Sequence, residues 1–430
     1  MLRIPAIDHP ESCNPYSLRL PLPCDTCVGF LVYKLGHLCE LFIWFSLSSI
    51  NNATLSVGKS CSWLCKSLSF PCVCRNWRSA RQYRFQEMNM FPNMFIRKRL
   101  PMLLISTDSA ERRNVYSLPD GQVYHLKLPV PYNTRCIGSS HGWLVFIEIF
   151  SYVITLFNPF YFGDSKGTIR LPAFLPAKDF FESAREYELN PEYYIAKAVL
   201  SADPISCPNY TVMLIHGEYK SLAYYKSGDE TWTCIPGNPL IHDLIYHNGR
   251  FRALCLWGEL YTSDPEANRP QLESVSEPLY GQLRSSGRRY IVMSNDGHTL
   301  FQLVRNLRYR LIGDGNVLYQ TVSFSVYKLG CLNETFDWLQ LSSIGDAALF
   351  VGDSYSYCVK ASDFSGITPN SIYFTDDFHG FGSVYRNPYQ FEGANDMGVF
   401  LIGDGSLRSH YDPGDTQKHL VPPIWIMPTI

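Results

Sequence analysis

Residues 241–263 read IHDLIYHNGRFRALCLWGELYTS, and this stretch decides the fold class. Apolar and polar residues alternate in short runs on both sides of Asn248-Gly249, as they do in strands that bury one face. Asn-Gly is the dipeptide that two-residue hairpin turns prefer, because both positions need a left-handed backbone. The stretch therefore predicts three antiparallel strands, over 243–247, 250–256 and 259–263.

The same pattern of short strands and tight turns extends from about residue 100 to the C-terminal end of the chain. Turn signals separate the strands, among them Pro119-Asp120-Gly121, Ser227-Gly228-Asp229, Asn295-Asp296-Gly297 and Gly403-Asp404-Gly405. About two dozen strands at four per blade predict an all-β fold, a β-propeller of about six blades. Helices do not alternate with the strands, which argues against an α/β fold.

The composition agrees with a large β-rich core. Hydrophobic residues make up 46% of the 430-residue chain, aromatic residues 14% and charged residues 18%. A chain this apolar can bury a core, which excludes global disorder, and its many Tyr and Phe residues favour strands. The formal net charge of −2 argues against a global nucleic-acid binder, so we expect no nucleic-acid partner.

Residues 1–72 differ from the rest of the chain. They hold seven of the 14 cysteines and show no sustained helical or strand period. Cys24-x-x-Cys27 and Cys61-x-x-x-Cys65 resemble pairs of zinc ligands, but the gaps between the pairs are long and irregular. We therefore expect reduced thiols in a divergent, poorly structured N-terminal segment, rather than a metal site or a disulfide framework.

The N-terminal region also carries the most apolar segment, residues 41–50. It has about half the length that a membrane-spanning helix needs, and the first residues lack the apolar run of a signal peptide. We expect a buried segment, no membrane partner, and a cytoplasmic or nuclear location.

Residues 73–99 contain a short stretch with helical spacing. Val73 and Trp77 lie four apart and would share one face, while arginines recur every three residues at positions 75, 78, 81 and 84. This pattern predicts an amphipathic helix with a basic, solvated face. A nucleic-acid or nuclear-import patch is the less favoured alternative, because the stretch is short and the chain is not basic.

A series of short motifs follows in a fixed order after residue 100. They include Arg135-Cys-Ile-Gly-Ser-Ser-His-Gly-Trp-Leu-Val145, Lys197-Ala-Val-Leu-Ser-Ala-Asp-Pro204, Asp243-Leu-Ile-Tyr-His-Asn-Gly249, Asn370-Ser-Ile-Tyr-Phe-Thr-Asp-Asp377 and Asp396-Met-Gly-Val-Phe400. In this order the motifs resemble a plant family whose members join an N-terminal F-box to a C-terminal propeller of the KIB type. Val73-Cys-Arg-Asn-Trp-Arg-Ser-Ala80 is similar to the phrase that ends such an F-box, whereas residues 1–72 lack its beginning.

The resemblance implies a non-enzymatic protein-interaction module, a substrate-recognition subunit of a cullin-RING (SCF-type) ubiquitin ligase. The F-box would bind a Skp-type adaptor through Val73, Cys74, Trp77 and Arg78, and the propeller would bind the client protein. The family also implies an alternative, a propeller without an F-box that binds and inhibits a partner such as a kinase without ubiquitination. The expected domains are the divergent segment 1–72, an F-box helix remnant with linker at 73–99, and a KIB-type propeller at 100–430.

The sequence offers weak catalytic signals only, and we expect no catalytic residue, no cofactor and no metal. Gly138-Ser-Ser140-His-Gly142 matches the nucleophile pattern of hydrolases, but strand residues follow where that motif needs a helix. Asp376-Asp377 could bind a cation, although a solvated loop end is expected instead. Gly380-Phe-Gly382 suggests a phosphate loop but lacks its other residues. A propeller glycosidase remains a hypothesis that requires two carboxylates facing each other in a central pocket.

Overall fold

The computed structural model divides the chain into two compact units, Met1–Arg84 and Phe85–Ile430. In the first unit, the described backbone is an antiparallel hairpin of β1 (Val28–Leu35) and β2 (Cys39–Ser46). It lies within residues 1–72, where the sequence shows no sustained period. The structure describes residues 28–35, 39–46, 100–105, 112–119, 121–127, 133–159, 167–176, 180, 193–279, 287–312, 316–332, 335–377, 396–411 and 422–427.

The second unit is a ring of six β-sheets, and its first blade closes the ring. The strands of this blade are β3 (Met102–Ile105), β4 (Arg112–Ser117), β5 (Gln122–Lys127) and β27 (Ile424–Ile426). The last strand, β27, pairs with β3 from Ile424–Leu104 to Ile426–Met102. The two ends of the propeller sequence are therefore hydrogen-bonded to each other within one sheet.

Blades two to five are antiparallel meanders whose strand order follows the sequence. The second blade contains β6 (Thr134–Ser140), β7 (Trp143–Glu148), β8 (Ile154–Phe157) and β9 (Thr168–Leu171). The third contains β10 (Ile195–Leu200), β11 (Thr211–His216), β12 (Ser221–Lys226) and β13 (Thr233–Cys234). The fourth contains β14 (Ile241–His247), β15 (Arg250–Cys255), β16 (Leu260–Ser263) and β17 (Glu273–Ser274). The fifth contains β18 (Arg288–Met293), β19 (Leu300–Ile312), β20 (Asn316–Leu332) and β21 (Thr335–Leu341).

The sixth blade departs from the meander. Its strands are β22 (Ala347–Val351), β23 (Tyr357–Lys360), β24 (Ser371–Phe374), β25 (Gly398–Leu401) and β26 (Leu407–Arg408). The spatial order is β23-β22-β24-β25-β26, and β22 pairs with β24 in parallel. A short 3₁₀ turn, Ala361–Asp363, begins the crossover that parallel pairing requires.

The predicted six-bladed propeller is confirmed, and the stretch that predicted it forms the first three strands of the fourth blade. Asn248 and Gly249 have φ angles of 48° and 75°, the left-handed conformation at both central positions that the hairpin turn requires. Because side chains alternate along a strand, successive residues of β14 pack against different neighbouring blades. Leu244 packs toward the third blade with Val199, whereas the next residue, Ile245, packs toward the fifth blade with Ile291.

Tryptophan indoles connect neighbouring blades. Trp143 Nε1 donates to Asp203 Oδ1 at 2.8 Å, joining the second blade to the loop after β10. Trp232 Nε1 donates to the Pro172 carbonyl, and Trp338 Nε1 donates to the Gly258 carbonyl, each at 2.9 Å. Trp232 and Trp338 occupy equivalent places at the outermost strands of blades three and five, and each reaches back to the preceding blade.

Two histidines whose pKa values are lowered in the folded protein predict acid sensitivity. Burial lowers the pKa of both His216 and His410 to about 4, and the Phe174 ring lies 4.5 Å from the His216 ring. Because the unfolded-state pKa is about 6.5, the neutral histidines favour the folded state above pH 6.5, and this contribution is lost as the pH falls toward 4. At 1.36 kcal/mol per pKa unit, each histidine accounts for about 3 kcal/mol at full protonation.

We therefore expect the urea midpoint to fall steeply between pH 6.5 and 4 and His216→Phe to flatten this dependence. The exposed residue His298 supplies the matched control, His298→Phe, which should leave the slope unchanged. Equal slopes in the wild type and His216→Phe would contradict the assignment.

Candidate protein-interaction face

One face of the propeller gathers the turns and the beginnings of the innermost strands, and we call it the leading face. In blades two, three and four, the turn after the second strand is bonded to the residue just before the innermost strand. The bonds are Ile149 N–H to Asn133 O at 2.9 Å, Gly217 N–H to Tyr194 O at 2.7 Å and Leu256 N–H to Leu240 O at 2.8 Å. These turns and the starts of β6, β10, β14 and β18 form the leading face.

A buried ion pair joins the innermost strands of blades three and four. Lys197 of β10 donates to the carboxylate of Asp243 in β14, and both side chains are almost fully buried. The second Asp243 oxygen accepts the Ile291 N–H at 2.9 Å and the Ser356 hydroxyl at 3.4 Å. Asp243 thus joins the innermost strands of blades four and five to the loop before β23, and its carboxylate is held by structural partners.

A second ionic cluster lies between blades five and six. Arg305 of β19 is fully buried and donates to Asp377 Oδ1 at 2.8 Å and to Asp396 Oδ2 at 3.0 Å. Arg288 bonds Asp353 Oδ1 at 2.9 Å and the Asp377 carbonyl at 2.8 Å. The expected solvated loop end at Asp376-Asp377 was therefore wrong: both side chains are buried, and Tyr319 donates to Asp376.

The charges of this cluster shift the pKa values of Arg288 and Lys220. Burial works against the charge on Arg288, yet Asp377 and Asp353 raise its pKa above the ordinary value. The half-buried Lys220 lies in the turn after β11, and its carbonyl accepts the Ile241 N–H at 3.1 Å. Burial, together with the positive charge of Arg288, lowers the pKa of Lys220 to about 8.

Exposed apolar side chains concentrate on the leading face. Phe150, in the turn after β7, is 81% exposed, Leu175, after β9, is 68% exposed, and Tyr219, in the turn after β11, is 72% exposed. Trp257, in the turn after β15, is also exposed. The side chains belong to successive blades, two to four. Large exposed apolar groups, Trp and Tyr above all, are typical of sites where one protein binds another.

The fifth blade adds a hairpin that extends beyond the leading face. Its base is the Arg305–Phe324 pair, and its pairing continues to Ile312–Asn316, while β18 pairs only as far as Arg305. We call residues 306–323 the arm. At about 3.3 Å per residue, it reaches about 20 Å beyond the blade. Tyr309 and Val322 are exposed on it.

The hydrolase-like pattern at residues 138–142 has a structural explanation. Gly138 to Ser140 lie in the innermost strand β6, and a Cβ at Gly138 would lie 2.2 Å from the Ala198 carbonyl oxygen of β10. His141 and Gly142, with φ angles of 52° and 79°, form the hairpin turn into β7. Since a strand follows, the motif is a turn within a blade, and its first glycine permits close contact between inner strands.

The described side chains do not include a group of three His, Cys, Asp or Glu residues arranged to hold a metal ion. Asp243, Asp353 and Asp377 each form an ion pair with a basic side chain, Lys197, Arg288 and Arg305 respectively. A cavity of about 20 Å³, lined by Arg113, Arg135 and Phe146 among others, has room for one water molecule. In the part of the chain that the structure describes, no helix is long and apolar enough to span a membrane.

The predicted adaptor-binding residues Val73, Cys74, Trp77 and Arg78 lie outside the described residues, as do Gly380 and Gly382. The structure instead brings forward residues that the sequence analysis did not select. These are the exposed side chains of the leading-face turns and the arm. The sequence signals for the arm are the alternation of polar and apolar residues from Asn306 to Leu311 and the turn residues Gly313-Asp314-Gly315 that follow.

Comparison with known proteins gives a consistent picture. The family model described as "KIB1-4 beta-propeller" matches residues 115–401. The F-box protein SKIP23 of Arabidopsis thaliana is 25% identical over an alignment of 405 residues, which covers 84% of this chain and 90% of the relative. A second Arabidopsis F-box protein is 27% identical over 256 residues, covering 56% of this chain and 74% of that protein. A third is 26% identical over 190 residues, covering 43% of this chain and 47% of that protein.

Proposed function

The chain belongs to the KIB1-4 beta-propeller family, and on this premise we propose that it is a non-enzymatic protein-interaction module. It would act as a substrate-recognition subunit of a cullin-RING (SCF-type) ubiquitin ligase. Relatives that carry the name F-box protein support the ligase part of the proposal. The F-box helix remnant within residues 73–99 would bind a Skp-type adaptor, and the client would bind the leading face, in the cytoplasm or the nucleus.

The observation that carries the proposal is the row of exposed apolar side chains on consecutive leading-face turns. Phe150, Leu175, Tyr219 and Trp257 expose large apolar surfaces to solvent without a folding role for those surfaces. The buried carboxylates of Asp243 and Asp377 are engaged in ion pairs that hold blades together. Binding of a protein surface is the activity that this distribution of groups favours.

The physical advantage of such a subunit is effective concentration. A protein that binds the ligase through one unit and the client through another converts ubiquitin transfer into an encounter within one complex. The F-box helix and the leading face then carry separable activities, and substitutions in one should leave the other intact.

We predict reciprocal losses when each surface is altered in the full-length chain. Trp77→Ala should weaken binding of a purified Skp-type adaptor about tenfold or more, since buried Trp anchors dominate such contacts. The double variant Tyr219→Ala/Trp257→Ala should retain the adaptor and lose the client proteins that the wild type captures. Quantitative affinity purification of the three proteins with added adaptor measures both effects.

Two results would change the proposal. If the wild type captures clients but no adaptor, the ligase role fails and the alternative stands, a propeller that inhibits a partner such as a kinase without ubiquitination. If the leading-face variant retains every client, the binding surface lies elsewhere on the propeller. Equal melting temperatures of the variants and the wild type serve as the folding control.

A further inference from the structure

The arm is firmly anchored at its base by buried polar contacts. Arg305 Nε donates to the Thr321 hydroxyl at 2.7 Å, and that hydroxyl donates to Asp396 Oδ2 at 2.7 Å. The Thr321 N–H also donates to Asp396, at 2.8 Å. These contacts fix both strands of the arm to the sixth blade. A hairpin held in this way is pre-organised, which reduces the entropy lost when it binds a partner.

The two faces of the arm point toward different neighbouring blades. Tyr319, paired opposite Tyr309, donates to Asp376 of the sixth blade. By strand alternation, residues 306, 308 and 310 lie on the other side, the same side as Val304. Val304 packs with Leu254 and Leu260 of the fourth blade. Trp257 lies in the turn between these two leucines. Arg308 and Arg310 therefore face the side of the arm on which the fourth blade lies.

Both guanidinium groups are available for a partner. Arg308 and Arg310 are exposed, and within the described parts of the propeller no carboxylate forms an ion pair with either. By contrast, Arg170 and Arg250 on other surface strands each pair with a glutamate. Arg308 and Arg310 are two residues apart on a strand, so they lie about 7 Å from each other. Alternate side chains of an extended peptide have the same spacing.

We propose that the arm binds an extended acidic segment of a partner protein through Arg308 and Arg310. The segment carries carboxylates at alternate positions, each able to accept two hydrogen bonds from one guanidinium. Apolar residues next to the segment contact Trp257 on the neighbouring turn. This inference rests on the proposed client-binding function and defines the chemical class of the client segment.

A binding experiment with a defined probe tests the proposal. The probe is a fluorescein-labelled peptide with glutamate at alternate positions and valine between them, measured by anisotropy with the full-length chain at low salt. Arg308→Glu/Arg310→Glu should weaken binding about tenfold or more, because attraction becomes repulsion. Arg308→Gln/Arg310→Gln should give a smaller loss. Raising the salt concentration should weaken wild-type binding, since exposed charges are screened.

The matched control is Arg269→Glu/Arg408→Glu, which makes the same charge change at two exposed arginines away from the arm. It should bind the probe within about twofold of the wild type, as distant surface charges act weakly. Equal losses in both double variants, or no wild-type binding, would overturn the inference. So would tighter arm-dependent binding of single-stranded DNA of equal charge, which would make the partner a nucleic acid.

The adaptor pull-down on the same variants separates this inference from the proposed function. Retained adaptor and client binding together with failed peptide binding would refute the acidic-segment inference and leave the ligase role standing. If the wild type fails to bind the adaptor, the ligase role is refuted, and peptide binding by the arm is judged separately.

Discussion

Replacing Arg305 by alanine should destabilise the propeller by about 3–5 kcal/mol, the usual cost of removing one partner from a buried ionic contact. The guanidinium donates to Thr375 O at 2.9 Å and to Asp396 O at 2.7 Å, besides the two carboxylates. Alanine would leave Asp396 and part of the Asp377 carboxylate buried without their cation. The urea midpoint at pH 7 measures the loss.

The pH dependence identifies the cause of this loss. Burial raises the pKa of Asp377, against the lowering effect of Arg288 and Arg305. Without Arg305 this pKa should rise further, so the difference between variant and wild type should shrink as the pH falls and the carboxyl becomes neutral. Arg305→Lys should show a smaller loss, and the exposed Arg408→Ala should stay within about 0.5 kcal/mol. An unchanged midpoint in Arg305→Ala would contradict the structural role.

The strands were predictable from the sequence because local patterns encode them. Asn248-Gly249 fixes a turn whose backbone only such residues adopt readily, and alternation on either side fixes the faces of β14 and β15. The ionic cluster was not predictable in this way. Asp376 and Asp377 are adjacent polar residues that resemble a loop end, and their burial depends on Arg305, about 70 positions away in sequence.

The arm escaped prediction for a different physical reason. Sequence periodicity reports burial, and a two-stranded ribbon that projects from a blade buries neither face fully. Polar and apolar residues alternate from Asn306 to Leu311, but residues 308, 309 and 310 are all exposed, so this alternation does not report burial. The alternation alone does not show that β19 and β20 continue beyond the blade as a hairpin.

In the motifs that carry the family resemblance, several polar residues make contacts between blades. Asp203 accepts from Trp143, Asp243 pairs with Lys197, and Asp377 pairs with Arg305, so these motifs hold blades together. The exposed groups that we assign to binding, Tyr219, Trp257, Arg308 and Arg310, lie outside the motifs that carry the family resemblance. In this chain the scaffold and the proposed binding surface are therefore carried by different residues.

Replacing Trp425 by alanine should destabilise the propeller by about 3–5 kcal/mol, the range for a fully buried tryptophan. Trp425 lies in β27, the strand that closes the ring, and has no solvent exposure. Its ring contacts Phe350 edge-on, with centroids 4.9 Å apart, and lies 5.3 Å from the His410 ring. Because these contacts join the last strand to the sixth blade, their loss should make the pairing of β27 with β3 open more often. Hydrogen exchange of the amides in β3 and β27 should therefore accelerate more than exchange in β14.

Two matched variants show whether closure is the cause. Trp425→Phe keeps an aromatic ring against Phe350 and removes an indole N–H that has no hydrogen-bond partner among the described residues, so its loss should be much smaller. Trp257→Ala removes an exposed tryptophan and should change the free energy of unfolding by no more than about 0.5 kcal/mol. If Trp425→Ala instead matched Trp257→Ala, or if exchange accelerated equally in all blades, the last strand would not be the element that holds the ring shut. Selective exchange in β3 and β27 would mean that the first blade opens at its closing strand while the other blades stay folded.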